Sequence, residues 1–361
     1  MILMVFLMAN CKHRAIKFKA KGMDVPNKQA SVKFDFIKRV ELKALYVNLY
    51  AFNDTVLVSS FDERRFVKIY EYDGDLNLRK KHNFRIGQGP GDLNGASNFA
   101  LCDNRWFVFD KFQLRISEFD RDYKYLRMRK AKRNYAFPII AENCKRLICS
   151  DSNWIGNNGI QYFVYRVDFP EQKMKKLFYL HKYDQTINGK FIIGNKSFFY
   201  VYYKRKLYLL NKADYTISII DMNGKLEKSV RVKFKRISTP RDKIKDWVHE
   251  YIRHPKMPMT FPPYIYPVAG IIPLNKGFIV VRINGYNKNC EDINGFAEGD
   301  YFNYNLEPMG KVNIPCFSNI FVCSNVYWGR YMSSYAENNF YLIKEDEEDN
   351  KTYLEKWRVE E

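Results

Sequence analysis

The sequence predicts an all-β fold, a six-bladed β-propeller with one short helical insertion between blades four and five, and three observations lead there. Short runs of apolar and aromatic residues alternate with polar ones and are cut by Gly, Asn, Asp and Pro, which is the period of strands joined by hairpins. A pattern of acid or amide, then a β-branched residue, then Asp recurs: Asp62 with Ile69 and Asp73, Asp110 with Ile116 and Asp120, Asn211 with Ile217 and Asp221. Successive copies lie about 50 residues apart, or twice that, and four strands per such unit is a propeller blade. Finally, one strand-like stretch, residues 31–40, precedes the first unit and belongs to none.

Bulk composition agrees. Hydrophobic residues make up 46% of the 361, with 27 Tyr and 28 Phe, enough for a sizeable core and weighted towards strands. Sixty Lys and Arg against 40 Asp and Glu give a net charge of +20. That balance favours anionic partners such as acidic glycans or phosphorylated headgroups. Nucleic acid is not expected, because neither zinc-finger spacing nor a recognition-helix pattern occurs. The densest basic patches are Arg127 to Arg133 and Lys233 to Lys245.

Taken in order, Met1 to Ala9 is wholly apolar and Asn10-Cys11 follows at once, as in a bacterial lipoprotein signal. Cys11 would then become the lipidated first residue, and residues 12–30 a tether. The other six cysteines, Cys102, Cys144, Cys149, Cys290, Cys316 and Cys323, form no CxxC pair and read as buried thiols. A Cys144–Cys149 or Cys316–Cys323 hairpin bridge is the alternative. In the stretch 31–40, Val32, Phe34 and Phe36 share one face and Lys33 and Asp35 the other; this strand is expected to pair with the last blade and close the ring. Blades are expected over 46–93, 94–134, 135–192, 193–239, 264–315 and 316–361. Asp151 supplies the third copy of the repeat, with a longer loop behind it.

Between blades one and two, Gly87-Gln88-Gly89-Pro90-Gly91-Asp92-Leu93 can be neither helix nor strand interior. It is no phosphate loop either, since GK[ST] and a following helix are both missing. Between blades four and five, Thr239-Pro240 opens a helix whose apolar stripe is Ile244, Trp247, Val248, Tyr251 and Ile252. Pro255, Pro258, Pro262 and Pro263 end it, giving an insertion over 239–263.

The Gly87 to Leu93 motif, followed by Val108-Phe109-Asp110 and Arg115-Ile116-Ser117-Glu118-Phe119-Asp120, resembles the TolB-like/NHL-like six-bladed propeller lipoproteins of Bacteroidetes. The likeness is specific over about residues 50–130 and architectural elsewhere. It implies the fold and a place in the cell envelope, an outer-membrane lipoprotein facing the periplasm or the cell surface, but no reaction.

Propellers bind ligands where loops converge at the channel mouth. The candidate binding residues are Arg64, Arg65, Arg85, Trp154, His249 and Arg253, a basic pocket with one aromatic wall. Trp154, among the amides of Asp151 to Gly159, suits stacking on a sugar ring. Expected partners are a glycan or anionic small molecule and an envelope protein, with the membrane met through the lipid anchor only. No metal or cofactor is expected: His249 and His254 are five residues apart, not the four of a helical metal pair. The acidic run Glu345 to Asp349 lacks the Gly and alternation of a calcium loop. The favoured function is a binding or scaffold module; the alternative is a lyase or hydrolase working at the channel mouth. Cys11→Ala should release the protein from the membrane into the soluble fraction; a wild type already soluble and unlipidated would refute the anchor.

Overall fold

The computed structural model describes residues 20–42, 47–62, 66–93, 97–110, 113–132, 136–141, 144–155, 159–168, 171–179, 183–184, 186–187, 190–192, 198–212, 214–235, 259–260, 264, 268–282, 296–315, 333–336, 338–346 and 351–361. These residues form six four-stranded antiparallel blades of a β-propeller. Two strands, β1 (Lys21–Met23) and β2 (Lys33–Leu42), precede the first blade. Blade one is β3 (Val47–Phe52), β4 (Thr55–Asp62), β5 (Phe66–Asp73) and β6 (Leu78–Arg85). Blade two is β7 (Ser97–Cys102), β8 (Arg105–Asp110), β9 (Arg115–Phe119) and β10 (Tyr125–Lys130). Blade three is β11 (Ala136–Ala141), β12 (Arg146–Ile155), β13 (Gly159–Asp168) and β14 (Lys173–Tyr179). Short strands β15 (Tyr183–Asp184), β16 (Thr186–Ile187) and β17 (Lys190–Ile192) follow it.

Blade four is β18 (Phe198–Tyr203), β19 (Lys206–Asn211), β20 (Thr216–Asp221) and β21 (Leu226–Val232). After β22 (Met259–Thr260), blade five is β23 (Val268–Pro273), β24 (Gly277–Arg282), β25 (Phe296–Asn303) and β26 (Pro308–Pro315). The last span supplies only β27 (Ser333–Ala336), β28 (Asn339–Asp346) and β29 (Lys351–Glu360). Its fourth strand is β2, antiparallel to β29. The unmatched strand therefore closes the ring.

Packing follows from the pleat. Each blade is apolar on both faces, and six buried clusters form, one at each junction between consecutive blades. The first strands line the centre, with β3 against β7, β7 against β11 and β27 against β3.

The recurring Asp of the sequence builds the corner between third and fourth strands. Asp73 Oδ1 accepts the backbone N–H of Asp75 and Asn77, Asp120 Oδ1 those of Asp122 and Lys124, and Asp221 Oδ1 those of Asn223 and Lys225. Asn303 does the same in blade five. Three residues after each of these, the backbone turns left-handed: Leu76 (φ 59°), Tyr123 (64°), Gly224 (83°) and Leu306 (58°). A non-Gly residue there costs about 1 kcal/mol. Burying the Leu76 and Leu306 side chains, 2% and 0% exposed, returns about 2 kcal/mol each. The fold keeps leucine.

The same corner receives the preceding blade. Lys38, Lys80, Lys175 and Lys228, all on fourth strands, donate to Asp75 O, Arg121 O, Asn223 Oδ1 and Asn305 O at 3.0, 3.1, 3.5 and 2.6 Å. Between blades two and three Gln172 takes this part, donating to Lys130 O at 2.8 Å and accepting from Lys132 N–H.

Of the stretch expected as a tether, residues 20–30 are described, and they run along the rim as a strap. β1 pairs in parallel with β21 of blade four, and Lys28 and Ala30 bond the backbone of Lys311 in blade five. Gly310 (φ 139°) makes room, since a Cβ there would meet Lys28 O at 2.5 Å.

Phe36 shares the face of Val32 and Phe34, opposite Trp357 as Phe34 is opposite Val359, but it is not buried with them: it lies 50% exposed against Trp357. The reading of the cysteines needs correcting. Cys102 and Cys144 are not free thiols but a disulfide, between the equivalent first turns of blades two and three. Ring geometry brings these turns together across 42 residues of sequence, so no local spacing marks the pair. Cys149 is buried and not part of a disulfide. The helical insertion over 239–263 lies outside the described residues apart from Met259–Thr260, which is the strand β22.

The corner carboxylates tie stability to pH. Backbone N–H donors, that of Lys225 foremost, hold the Asp221 carboxyl below its ordinary 3.8. A depressed pKa stabilises the fold above the unfolded value, and the effect is lost as pH falls through the folded one. Asp221→Ala should therefore cost about 1 kcal/mol at neutral pH. Thermal melts should show the gap to wild type full above pH 3.8 and closing below it.

Candidate functional site

In each blade the second strand ends, and the third begins, at the end where one blade passes to the next. At the opposite end the turns are tight, as at Asn53-Asp54 between β3 and β4 and Lys204-Arg205 between β18 and β19. The long connections all leave from the first end: 180–197 between blades three and four, interrupted by β15, β16 and β17, 233–267 between blades four and five, interrupted by β22, 283–295 between β24 and β25, and 316–332 between blades five and six. This is the mouth where ligands were expected.

Two of the six proposed site residues are described. Arg85 closes β6 at the mouth end, exposed, and its side chain has no partner in the described structure. Trp154 lies at the same end, near the tip of β12 and in register with Ile160. What read as a loop from Asp151 is a hairpin extension, with Ser152 to Ile155 paired to Gly159 to Tyr162. Asp184 and Tyr183 of β15 flank it. Arg64, Arg65, His249 and Arg253, like Cys11, lie outside the described residues. At this end two of the long connections meet, because β17, between blades three and four, pairs in parallel with β22, between blades four and five.

The glycine-rich loop beside Arg85 is a docked plug. Leu93 N–H returns to Arg85 O at 2.9 Å, and Asp92 Oδ2 accepts Gly89 N–H at 2.9 Å. A Cβ on Gly87 would sit 2.3 Å from that carboxylate, which explains the glycine. Arg115 of blade two, only 5% exposed, reaches under the loop. Its guanidinium donates to the carbonyls of Gln88 (3.2 Å), Gly89 and Gly87 (3.4 Å each) and Asp92, and pairs with Asp110 at 3.7 Å. Gln113 Nε2 adds a bond to Gly87 O at 2.6 Å. The loop fixes Arg85 at the mouth; its own polar groups are spent on blade two.

The strongly perturbed groups are packed between blades. Burial pushes the Tyr123 phenol well up, and its hydroxyl donates to Glu71 at 2.7 Å, where Arg121 also pairs at 3.0 Å. Burial likewise raises Tyr215 and its acceptor Asp300, 2.5 Å apart. These pairs bridge blades one to two and four to five, at 5% exposure or less for each tyrosine and acid. They lock blades together. His82 stacks on Tyr123 with its pKa lowered by burial. Cys102, Asp103 and Cys144 bring thiol and carboxylate ligand atoms together, but the two sulfurs are bonded to each other. A cleft of about 640 Å³ opens at the opposite end from the mouth, between Lys276, Asn338, Lys356 and Arg358.

Sequence reasoning missed Arg115, although an Asp110 to Arg115 spacing behind the glycine loop is visible in it. It missed the disulfide for want of any local signal.

Among the solved structures of similar architecture are two from Bacteroides. A predicted exported protein from Bacteroides fragilis is 10% identical at a TM-score of 0.51, over 95% of this chain and 99% of that one. A member of the DUF4221 family from Bacteroides vulgatus is 12% identical at a TM-score of 0.52, over 92% and 99%. At such identities the likeness shows the fold alone. No family model matches the chain, and no curated protein does.

Arg115→Lys cannot span four carbonyls with one ammonium and should fail nearly as badly as Arg115→Ala. Breaking this buried pair should cost about 3 kcal/mol. Hydrogen exchange should show protection lost first at the amides of Gly89, Asp92 and Leu93.

Proposed function

We propose that the chain is an exported propeller, held in the cell envelope through Cys11, that binds an anionic or glycan ligand at the mouth. The observation that carries this reading is the asymmetry of the connections: every long one leaves from one end, while the other end is built of tight turns. Loops freed from closing hairpins are where a rigid scaffold carries recognition. Arg85 supports the anionic part, being exposed and without a side-chain partner among the described residues. Trp154 supports the glycan part through its place near the tip of the blade-three extension.

Export is supported by the Cys102–Cys144 bridge, since disulfides persist in oxidising compartments. The name of the Bacteroides fragilis protein of like fold points the same way. With residues 12–19 between Cys11 and the strap, the anchor would hold the rim of blade four within roughly 30 Å of the membrane.

A glycan and anionic-metabolite screen on protein lacking residues 1–11 tests the reading. Arg85→Ala and Trp154→Ala should each weaken the ligand found by about fivefold or more, with the melting temperature unchanged. Binding indifferent to both substitutions would overturn the mouth site.

A further inference from the structure

The six outer strands form the rim, and their edges are protected in two different ways. The edges of β21 and β26 are covered by the strap. Those of β6, β10, β14 and β2 carry no further strand in the described structure. Bare edges invite strand addition, and charged side chains prevent it. Either sign serves that purpose, and β2 uses both, with Lys33, Lys38 and Arg39 alongside Asp35 and Glu41. The other three bare edges do not mix signs. Four of the eight residues of β6, three of the six of β10 and three of the seven of β14 are Lys or Arg, and none is acidic.

Internal pairing cancels part of this charge, Arg79 with Asp54 at 3.1 Å and Lys80 with Asp122 at 2.5 Å, but reaches neither Lys81 nor Arg85 of the same strand among the described residues. Lys80 and Lys175 dock onto the next blade, as Lys228 and Lys38 do on the opposite side. On blade two Glu118, 2% exposed, faces Arg105, Arg127 and Arg129 at 3.8, 2.8 and 3.2 Å. Lys130 and Lys173 are exposed with no side-chain partner among the described residues, and Lys81 lies over the Tyr70 ring, which leaves its charge intact.

The geometry points to a second binding surface, separate from the mouth: the outer edges of blades one to three form a cationic arc for a flexible polyanion of the acidic-polysaccharide class. Three consecutive blades of six span half a ring, and that surface is convex. A flat bilayer can touch only part of it, whereas a flexible chain can follow it. Single-stranded nucleic acid would want exposed rings for stacking. Among the described side chains of these strands, the exposed large apolar ones are Leu78, Leu126 and Met128, none of them aromatic.

Fluorescein-labelled dextran sulfate, followed by anisotropy with the full chain in about 0.1 M NaCl, is the test. The triple variant Lys81→Glu, Lys130→Glu, Lys173→Glu should weaken binding by about tenfold or more and flatten its salt dependence. Lys33→Glu, Lys228→Glu, Arg231→Glu, with the same change in net charge on the other half of the rim, should stay within about twofold of wild type. Trp154→Ala should not affect dextran sulfate, which separates failure of the arc from failure of the mouth site. Equal losses from both triples, or no binding by wild type, would overturn the arc. Equal or tighter binding of oligo-dT, or of anionic vesicles, would overturn the polysaccharide class.

Discussion

The propeller depends on one small constraint, the side-chain oxygen that seals the corner between the third and fourth strands. With Asp73, Asp120, Asp221 or Asn303 accepting two backbone N–H groups, the chain can reverse with a left-handed residue three positions on. That places Leu76, Tyr123 or Leu306 in the junction between blades instead of on the surface. The same corner presents the oxygen that the lysine of the preceding blade seeks. Local turn chemistry and blade-to-blade docking are thus one device, repeated around the ring.

Around that device the molecule divides its labour. Tyr123 with Glu71, and Tyr215 with Asp300, supply polar locks inside the junctions. Such groups have the perturbed pKa values that elsewhere mark a catalytic centre. Here they lie fully packed between sheets, and their shifts report burial. The glycine-rich loop is likewise structural: Arg115 consumes its carbonyls and so holds the start of blade two against blade one.

The strap adds closure of a second kind. A propeller closed by β2 alone would join blades six and one; the strap extends the N-terminal contribution across the outer edges of blades four and five. It also breaks the symmetry of the rim, leaving bare edges on one side and backbone-covered ones on the other.

Sequence alone determined the architecture, because the features that specify it are local and repeat. The Asp-x-Asn/Asp corners, the alternation in each strand and the unmatched stretch at 31–40 are each set within a few residues by hydrogen bonding and by the two-residue period of the pleat. Asp151 was legible as the third copy for the same reason, though not the four further pairs by which its hairpin outgrows the other blades. Only the tertiary structure decided what depends on neighbours distant in the chain. Cys102 meets Cys144 because two equivalent turns are adjacent around the ring; residues 20–30 become a strap because β21 and β26 offer free edges. Arg115 lies between the two cases. Its position was readable, but its role was not, because a guanidinium gathers four carbonyls only after the loop and the next blade have been brought together.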